Sequence, residues 1–464
     1  LTYSVPQSLQ GLVGRATYAY ADRYFAEFNL GYNGSENFPE DLRYGVFPAF
    51  SLGWVLTEEP FFPKNDYVTF IKLRGSYGEV GNDKIGGSRF LYLPTSYNYG
   101  GFVYQFGTEG LDRESYKSAM EGKIGNPYVT WERAKKKNVG VDIRLFDDKL
   151  VIGADYFAEN RDNILIKRST VPAIVGATDL PAVNMGKVEN KGYEIEAHWR
   201  SNISKFNYHI DANLSYARNK IIFQDEPNAA YEWMMATGFS VGQLKGYRND
   251  GFYNYDDEVA NRPYYSFYSN KVQKGDLKYI DIDGDGKIDQ NDRVPIGYNE
   301  FPQVSYGFTL GGDWKDLDFS LLFQGASQTA IQQRVMTAWA FNLGFNNTLA
   351  EHMNRWSEER FAAGEKITMP RLSADGKNSP NSEDSDFWVK DASYLRLKNV
   401  EIGYTLSVPK LAKIGVKSLR FYVSGNNLLT FTSLKNTDPE NPTKNVGAVY
   451  PQMKVYNVGL NLRF

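Results

Sequence analysis

The sequence predicts an all-β fold: the wall of a transmembrane antiparallel β-barrel. Three observations predict it. Segments of strict apolar/polar alternation recur along the whole chain. Aromatic residues reach 15%, with 33 Tyr and 29 Phe, in a chain of 464 residues whose hydrophobic fraction is only 42%. The connections between segments alternate between short and long, the order that outer-membrane barrels keep and unrelated sandwich domains do not.

The last segment, Tyr456 to Phe464, is the clearest. Tyr456, Val458, Leu460, Leu462 and Phe464 fall on one face; Asn457, Gly459, Asn461 and Arg463 fall on the other. Successive side chains of a strand point to opposite faces, so this pattern makes one greasy face and one wet face. A soluble sandwich would also alternate, but here large aromatics flank the strands and the chain stops on Phe464. Twelve further segments share the pattern: Gln10–Tyr20, Tyr24–Gly34, Gly45–Leu56, Tyr67–Gly81, Lys136–Leu145, Leu150–Leu165, Val188–Arg200, Phe206–Ile222, Gln303–Trp314, Leu317–Gln324, Ser393–Leu406 and Leu419–Phe431. That makes thirteen strands. Short turns such as Ala21-Asp22-Arg23, Phe146-Asp147-Asp148-Lys149 and Lys315-Asp316 alternate with connections at 82–135, 224–302 and 328–391.

Composition narrows the classes. No run of about 18 apolar residues exists, so no spanning helix is expected, whereas a spanning strand needs only about ten residues. A net charge of −3 gives no support for a nucleic-acid partner, and the absence of cysteine excludes disulfides and thiolate metal sites. The opening LTYSVPQSLQ does not resemble a signal peptide. An odd number of antiparallel strands cannot close without one parallel pair, and an open edge in hydrocarbon leaves backbone groups unpaired at several kcal/mol each. The remaining strands are therefore expected on another polypeptide or an upstream segment.

Several stretches resemble the SusC/RagA family of TonB-dependent transporters. They are Tyr20-Ala21-Asp22-Arg23-Tyr24-Phe25 with Gly45 to Trp54; Leu73-Arg74-Gly75-Ser76-Tyr77-Gly78; Asn126-Pro127 with Thr130-Trp131-Glu132; Val188 to Glu194; Ser393 to Val400; Gly425-Asn426-Asn427-Leu428; and Tyr450-Pro451-Gln452. Any one is weak; the ordered set spans nearly the whole chain. The resemblance implies a 22-stranded barrel with a plugged lumen, of which residues 1–464 would be the C-terminal portion, about 13 strands. The plug, the TonB-contacting segment and the first strands would lie outside this sequence. It also implies a multi-pass protein of the Gram-negative outer membrane, surrounded by lipid, that pairs with a SusD-like surface lipoprotein and imports oligosaccharides. Import of oligopeptides by the same mechanism, or passive porin behaviour, are the alternatives.

One motif carries chemistry of its own. Asp281 to Asp292 reads as a twelve-residue calcium loop, with oxygen ligands expected from Asp281, Asp283, Asp285, the Lys287 carbonyl, Asp289 and Asp292, and Gly286 at the sharp turn. Position 12 is Asp rather than Glu, and flanking helices are not evident. Ca²⁺ is the expected structural cofactor; the alternative is a solvated acidic turn.

No catalytic constellation is expected. Gly238-Phe239-Ser240-Val241-Gly242 fits a hydrolase pattern, but that pattern needs a strand–turn–helix with an acid and a histidine to follow, and only His352 does. His198, His209 and His352 lack zinc spacing, and His209 is expected to face the lumen. Residues 351–363 have helical composition, while 364–381 and 381–386 read as solvated connectors. Trp233, Tyr264, Tyr265 and Trp339 are the loop aromatics expected to contact cargo.

Overall fold

In a computed structural model, the described residues are 8–84, 89–94, 97–107, 114–176, 180–267, 271–334, 338–341, 348–373, 379–406, 415–441, 450 and 452–464. Thirteen strands form one sheet in strict sequence order: β1 (Leu9–Tyr20), β2 (Tyr24–Ser35), β3 (Tyr44–Val55), β4 (Val68–Asn82), β5 (Glu132–Leu145), β6 (Leu150–Ile166), β7 (Val183–Ile203), β8 (Phe206–Phe223), β9 (Val304–Trp314), β10 (Leu317–Ser327), β11 (Tyr394–Leu406), β12 (Ser418–Thr432) and β13 (Val455–Arg463). Every neighbouring pair is antiparallel. Strand number and order are those expected, and the sheet is not closed: among the described residues β1 and β13 pair on one side only.

Register explains the two faces. Phe28 pairs with Phe50 and Tyr24 with Trp54, and Phe308 pairs with Phe323 and Leu310 with Leu321. Facing rings touch, with centroids 4.9 Å apart for Phe28–Phe50 and 4.7 Å for Phe308–Phe323. Many of these residues are exposed: Tyr456 at 71%, Val458 at 84% and Leu52 at 68%. A one-layer sheet with a continuous exposed apolar face cannot persist in water; hydrocarbon is the solvent that suits it.

The opposite face is ionic. Arg74 on β4 bridges Asp142 on β5 at 3.2 Å and Asp155 on β6 at 2.5 Å. Arg420 on β12 reaches Glu401 on β11 at 2.7 Å and also Asp318 on β10. Toward the long-connection end, Arg133–Glu79, Arg161–Glu132 and Lys135–Asp162 pair across β4 to β6 at 3.1, 3.0 and 3.1 Å. Each of these charges has a cross-strand partner, so the face tolerates its charge density in contact with water.

The short turns carry the backbone that tight hairpins need. Ala21 and Asp22 sit at φ +50° and +52°, and Lys315 at +57°, in the left-handed φ region that lets a tight turn match the right-handed twist of the flanking strands. The Gly425–Leu428 stretch is a bulge: the register slips between Leu397 and Asn399 against β12, and Asn427 takes φ +54°.

At the long-connection end, two small cores form. One packs Phe38, Phe47, Leu91, Val129 and Trp131; the Phe47 ring lies so close over Gly81 that a Cβ there would sit 2.1 Å from it. The other is the lobe described below. Residues 358–362 form the short helix expected within 351–363, capped by the Ser357 hydroxyl accepting from Arg360 N–H at 3.3 Å. The connector at 364–381 lies partly outside the described residues, as does Pro451 of the Tyr450-Pro451-Gln452 stretch.

Two substitutions on β9 test the faces. Leu310→Arg on the apolar face is expected to cost about 2–4 kcal/mol of folding into vesicles, measured by denaturant titration of the full polypeptide that carries this chain. Thr309→Arg, one residue away on the ionic face, is expected to fold like the parent. Equal penalties would contradict the assignment of faces.

Candidate metal loop and the lobe that holds it

The described parts of the connections 224–303 and 328–393 fold together. Tyr247, Tyr253, Tyr265, Leu277, Tyr279 and Ile288 from the first pack with Ala338, Met369 and Trp388 from the second, all buried. Short ladders stitch the lobe: Lys245–Gly246 with Val294–Pro295, Asn249–Phe252 with Leu277–Tyr279, and a parallel bridge of Tyr264–Tyr265 with Lys287–Ile288.

Polar pins cross between the connections. Asp276, fully buried, meets the Arg371 guanidinium at 2.6 Å and accepts from the Asn381 amide at 2.8 Å. Burial, opposed by Arg371, pushes the Asp276 carboxyl above the usual carboxylate range. Asp384 takes Gln332 at 2.9 Å, Arg293 at 3.0 Å and Arg334 at 2.5 Å. Within the second connection, Trp388 donates its indole N–H to the Asn381 carbonyl at 2.8 Å.

The acidic loop sits on this lobe. Ile288 is its anchor, fully buried in the core. Gly284 at φ +75° and Gly286 at +83° make turns that a side chain would strain. The Asp281 carboxylate accepts from Gly284 N–H at 2.7 Å and from Gly286 N–H at 2.8 Å. Carboxylate oxygens of Asp281, Asp283 and Asp285 lie within 4.8 Å of one another. Asp292, 1% exposed, closes the loop: its two oxygens accept from Ile282 N–H at 2.7 Å and Asp289 N–H at 2.8 Å. Burial, joined by repulsion from Asp283 and opposed by those N–H groups, pushes its carboxyl up.

Of the six expected ligands, three carboxylates converge. Asp289 instead caps a short helical turn by accepting from Asn291 N–H at 2.8 Å, and Asp292 is spent on loop closure. The parallel bridge runs through the Gly286 and Ile288 carbonyls, which accept from Tyr264 and Ser266 at 2.9 and 3.1 Å. The Lys287 carbonyl between them stays outside that bridge. Among the described residues, Lys287 Nζ, 3.4 Å from Asp285, is the one cation paired to these carboxylates. The donor set is hard oxygen, short of positive charge, and fits a calcium-type ion.

The four aromatics expected to contact cargo sit in different surroundings. Trp233 stacks on Tyr231, with centroids 4.4 Å apart and planes 5° from parallel, and donates its indole N–H to the Asn291 carbonyl at 2.8 Å; it braces the acidic loop. The Asp283 carboxylate, hydrogen-bonded to Tyr231, pushes that phenol's pKa up. Tyr265 is a correction: it is fully buried, its hydroxyl 3.1 Å from that of Tyr253, so it offers cargo no surface. Trp339 packs half-buried against the lobe core, and Tyr264 is 54% exposed.

Ser240 is buried and donates to the Asn219 carbonyl at 2.9 Å, a structural bond. His352 is buried; its Nδ1 accepts from Leu349 N–H at 2.8 Å while Nε2 faces the Ala338 carbonyl at 3.0 Å. His198 and His209 flank Asp211, at 2.7 and 3.8 Å. Residue spacing hides that meeting; the cross-strand register of His198 with Asp211 creates it.

A family model described as "TonB dependent receptor-like, beta-barrel" matches residues 2–275. TonB-dependent receptor P3 of Formosa agariphila is 28% identical over 491 residues, covering 100% of this chain and 46% of the relative. TonB-dependent receptor SusC of Bacteroides thetaiotaomicron is 24% identical, covering 100% and 44%. The chain thus spans about half the length of the curated relatives it matches. Among solved structures, the RagAB peptide transporter superposes with a TM-score of 0.74 at 21% identity, over 98% of this chain and 47% of that one. That likeness shows the fold.

Removing one partner of a buried ion pair costs about 3–5 kcal/mol, because the other charge is stranded. Arg371→Leu is therefore expected to loosen the lobe, seen as faster amide exchange at 244–296 in the full-length protein. The sign with pH follows from the raised carboxyl of Asp276. A folded carboxyl above its unfolded value favours protonation in the lobe, so lowering the pH should shrink the defect. A defect that grows in mild acid would contradict this account of the pin.

Proposed function

The chain belongs to the TonB dependent receptor-like β-barrel family, and we propose that it is the C-terminal part of the barrel of an active oligosaccharide importer. The protein lies in the outer membrane. The observation that carries the reading is the open wall itself, apolar outside and ionic inside, with a folded lobe over its long-connection end. The free edges of β1 and β13 support further strands, on an upstream segment or another chain, that complete the cylinder around a plug. Energy coupling belongs to TonB through that part. The lobe, standing where cargo enters, suits a SusD-like lipoprotein as lid. The solved neighbour's name, a peptide transporter, supports oligopeptide import as the second reading.

Cells carrying the full-length protein are expected to accumulate labelled oligosaccharide, and to lose that uptake when TonB is deleted. Uptake that survives the deletion would make the barrel a passive pore.

The acidic loop is part of the same reading: a structural Ca²⁺ held by Asp281, Asp283 and Asp285, with the Lys287 carbonyl beside them, stiffens the lobe. Asp289 and Asp292 complete the shell if the ion draws them in from their backbone partners. Affinity on the order of 10⁻⁴–10⁻³ M is expected for an extracellular module. Chelator should speed proteolytic cleavage within 281–292, and Asp283→Ala should copy that effect in the presence of calcium. Cleavage indifferent to chelator would leave a solvated acidic turn.

A further inference from the structure

Beneath the long connections, the ionic face of the wall carries a cavity of about 790 Å³. Its floor is Asn213 on β8, Ser305 on β9 and Gln324 on β10; Phe301 stands at its rim and Glu440 and Asn441 form its roof. The roof is fixed by Arg396 on β11, a guanidinium only 1% exposed. Arg396 holds Asp438 and Gln452, each at 2.6 Å, and also Glu440, which accepts from the Tyr394 hydroxyl at 2.9 Å. The cavity is therefore built and does not depend on chance loop positions.

We propose that this cavity is a wall-side subsite for neutral oligosaccharide cargo; the proposal rests on the import reading above and names its cargo class. The side chains of Asn213, Ser305, Gln324 and Asn441 make no hydrogen bond to another described residue. Amides and hydroxyls offer both donors and acceptors, the complement of a sugar hydroxyl. Phe301, 64% exposed, adds a flat apolar surface beside them, so the lining combines an apolar anchor with a few convergent polar groups. An extended peptide would seek a free strand edge for main-chain pairing, but β8, β9 and β10 are laddered on both sides. The charged lining among the described residues is Glu300 and Glu440, the latter paired with Arg396 and Lys398, and no cation is among the described lining residues to receive a sulfated or uronate chain.

The test uses the full-length transporter in nanodiscs, with folding of each variant checked by heat-modifiable gel mobility. Arrays of neutral, sulfated and uronate oligosaccharides and of extended peptides are the probes, against the parent, Gln324→Leu and Asn213→Leu. Both changes lie on the water-facing side of the wall, where substitution leaves the barrel intact. Retention of neutral oligosaccharides, weakened up to roughly tenfold by each variant, is the expected result, the effect of losing about one net hydrogen bond. Neutral chains held equally by parent and variants, peptides or anionic chains held in a variant-sensitive way, or no oligosaccharide held at all would each overturn the subsite. Uptake measured in parallel separates the two readings. TonB-dependent uptake untouched by the variants removes the subsite and leaves the importer standing.

Discussion

A strand in hydrocarbon has no water to satisfy its N–H and C=O groups, and everything else in this structure follows from that constraint. Twelve antiparallel ladders satisfy the inner strands. The alternation that pairing imposes then sorts side chains onto two solvents. Phe28, Phe50, Phe308 and Phe323 go to lipid, while Arg74, Asp142, Asp155 and Arg420 go to water. A one-residue slip would exchange the two sets, so the ion pairs across β4 to β6 and β10 to β12 also fix register. Among the described residues β1 and β13 pair on one side only.

The long connections face a different problem. Ordering long connections costs conformational entropy, and their described parts offset that cost as a soluble domain would, with a core. Residues 224–303 and 328–393 lie on either side of the β9–β10 hairpin, yet they share one nucleus of Tyr265, Leu277, Ile288 and Trp388. Buried pins such as Asp276–Arg371 make their register specific. The acidic loop is mounted on that nucleus through Ile288, so an ion bound there would act on the whole lobe. Arg396 plays a comparable part for the last connection, drawing Asp438 and Glu440 over the wall.

The wall was legible in the sequence because period 2 is a local signal. All thirteen strands stand where alternation places them, and the turns at Ala21-Asp22 and Lys315 were visible as breaks. Strand ends were less legible. β5 begins at Glu132 rather than Lys136, and β7 runs from Val183 to Ile203 rather than from Val188 to Arg200. Charged residues such as Glu132, Arg133 and Lys135 blur the apolar rhythm while their cross-strand ion pairs keep the ladder going. The acidic loop was legible as spacing, its geometry only in part: Asp281, Asp283 and Asp285 meet, while Asp289 and Asp292 serve the backbone. The lobe was not legible. Alternation alone does not tell Tyr265, in the core, from Tyr264, at the surface, since the packing of Tyr265 against Tyr253, Phe267 and Tyr279 decides it. The His198–Asp211–His209 meeting and the burial of Arg396 likewise depend on register and on distant chain.

The most direct measurement exploits the absence of cysteine from these 464 residues: an introduced thiol is the one thiol on this part of the wall, once any cysteine elsewhere in the full-length protein has been replaced by serine. Single cysteines along β9, from Val304 to Trp314, would carry spin labels in the full-length protein in outer-membrane lipid. Contact with dissolved oxygen and with a water-soluble nickel complex is then compared position by position. The wall described here predicts strict alternation, with Phe308 and Leu310 oxygen-accessible and Ser305 and Thr309 nickel-accessible. Uniform protection along the strand, or the same alternation in opposite phase, would mean that these residues do not form a wall between lipid and water.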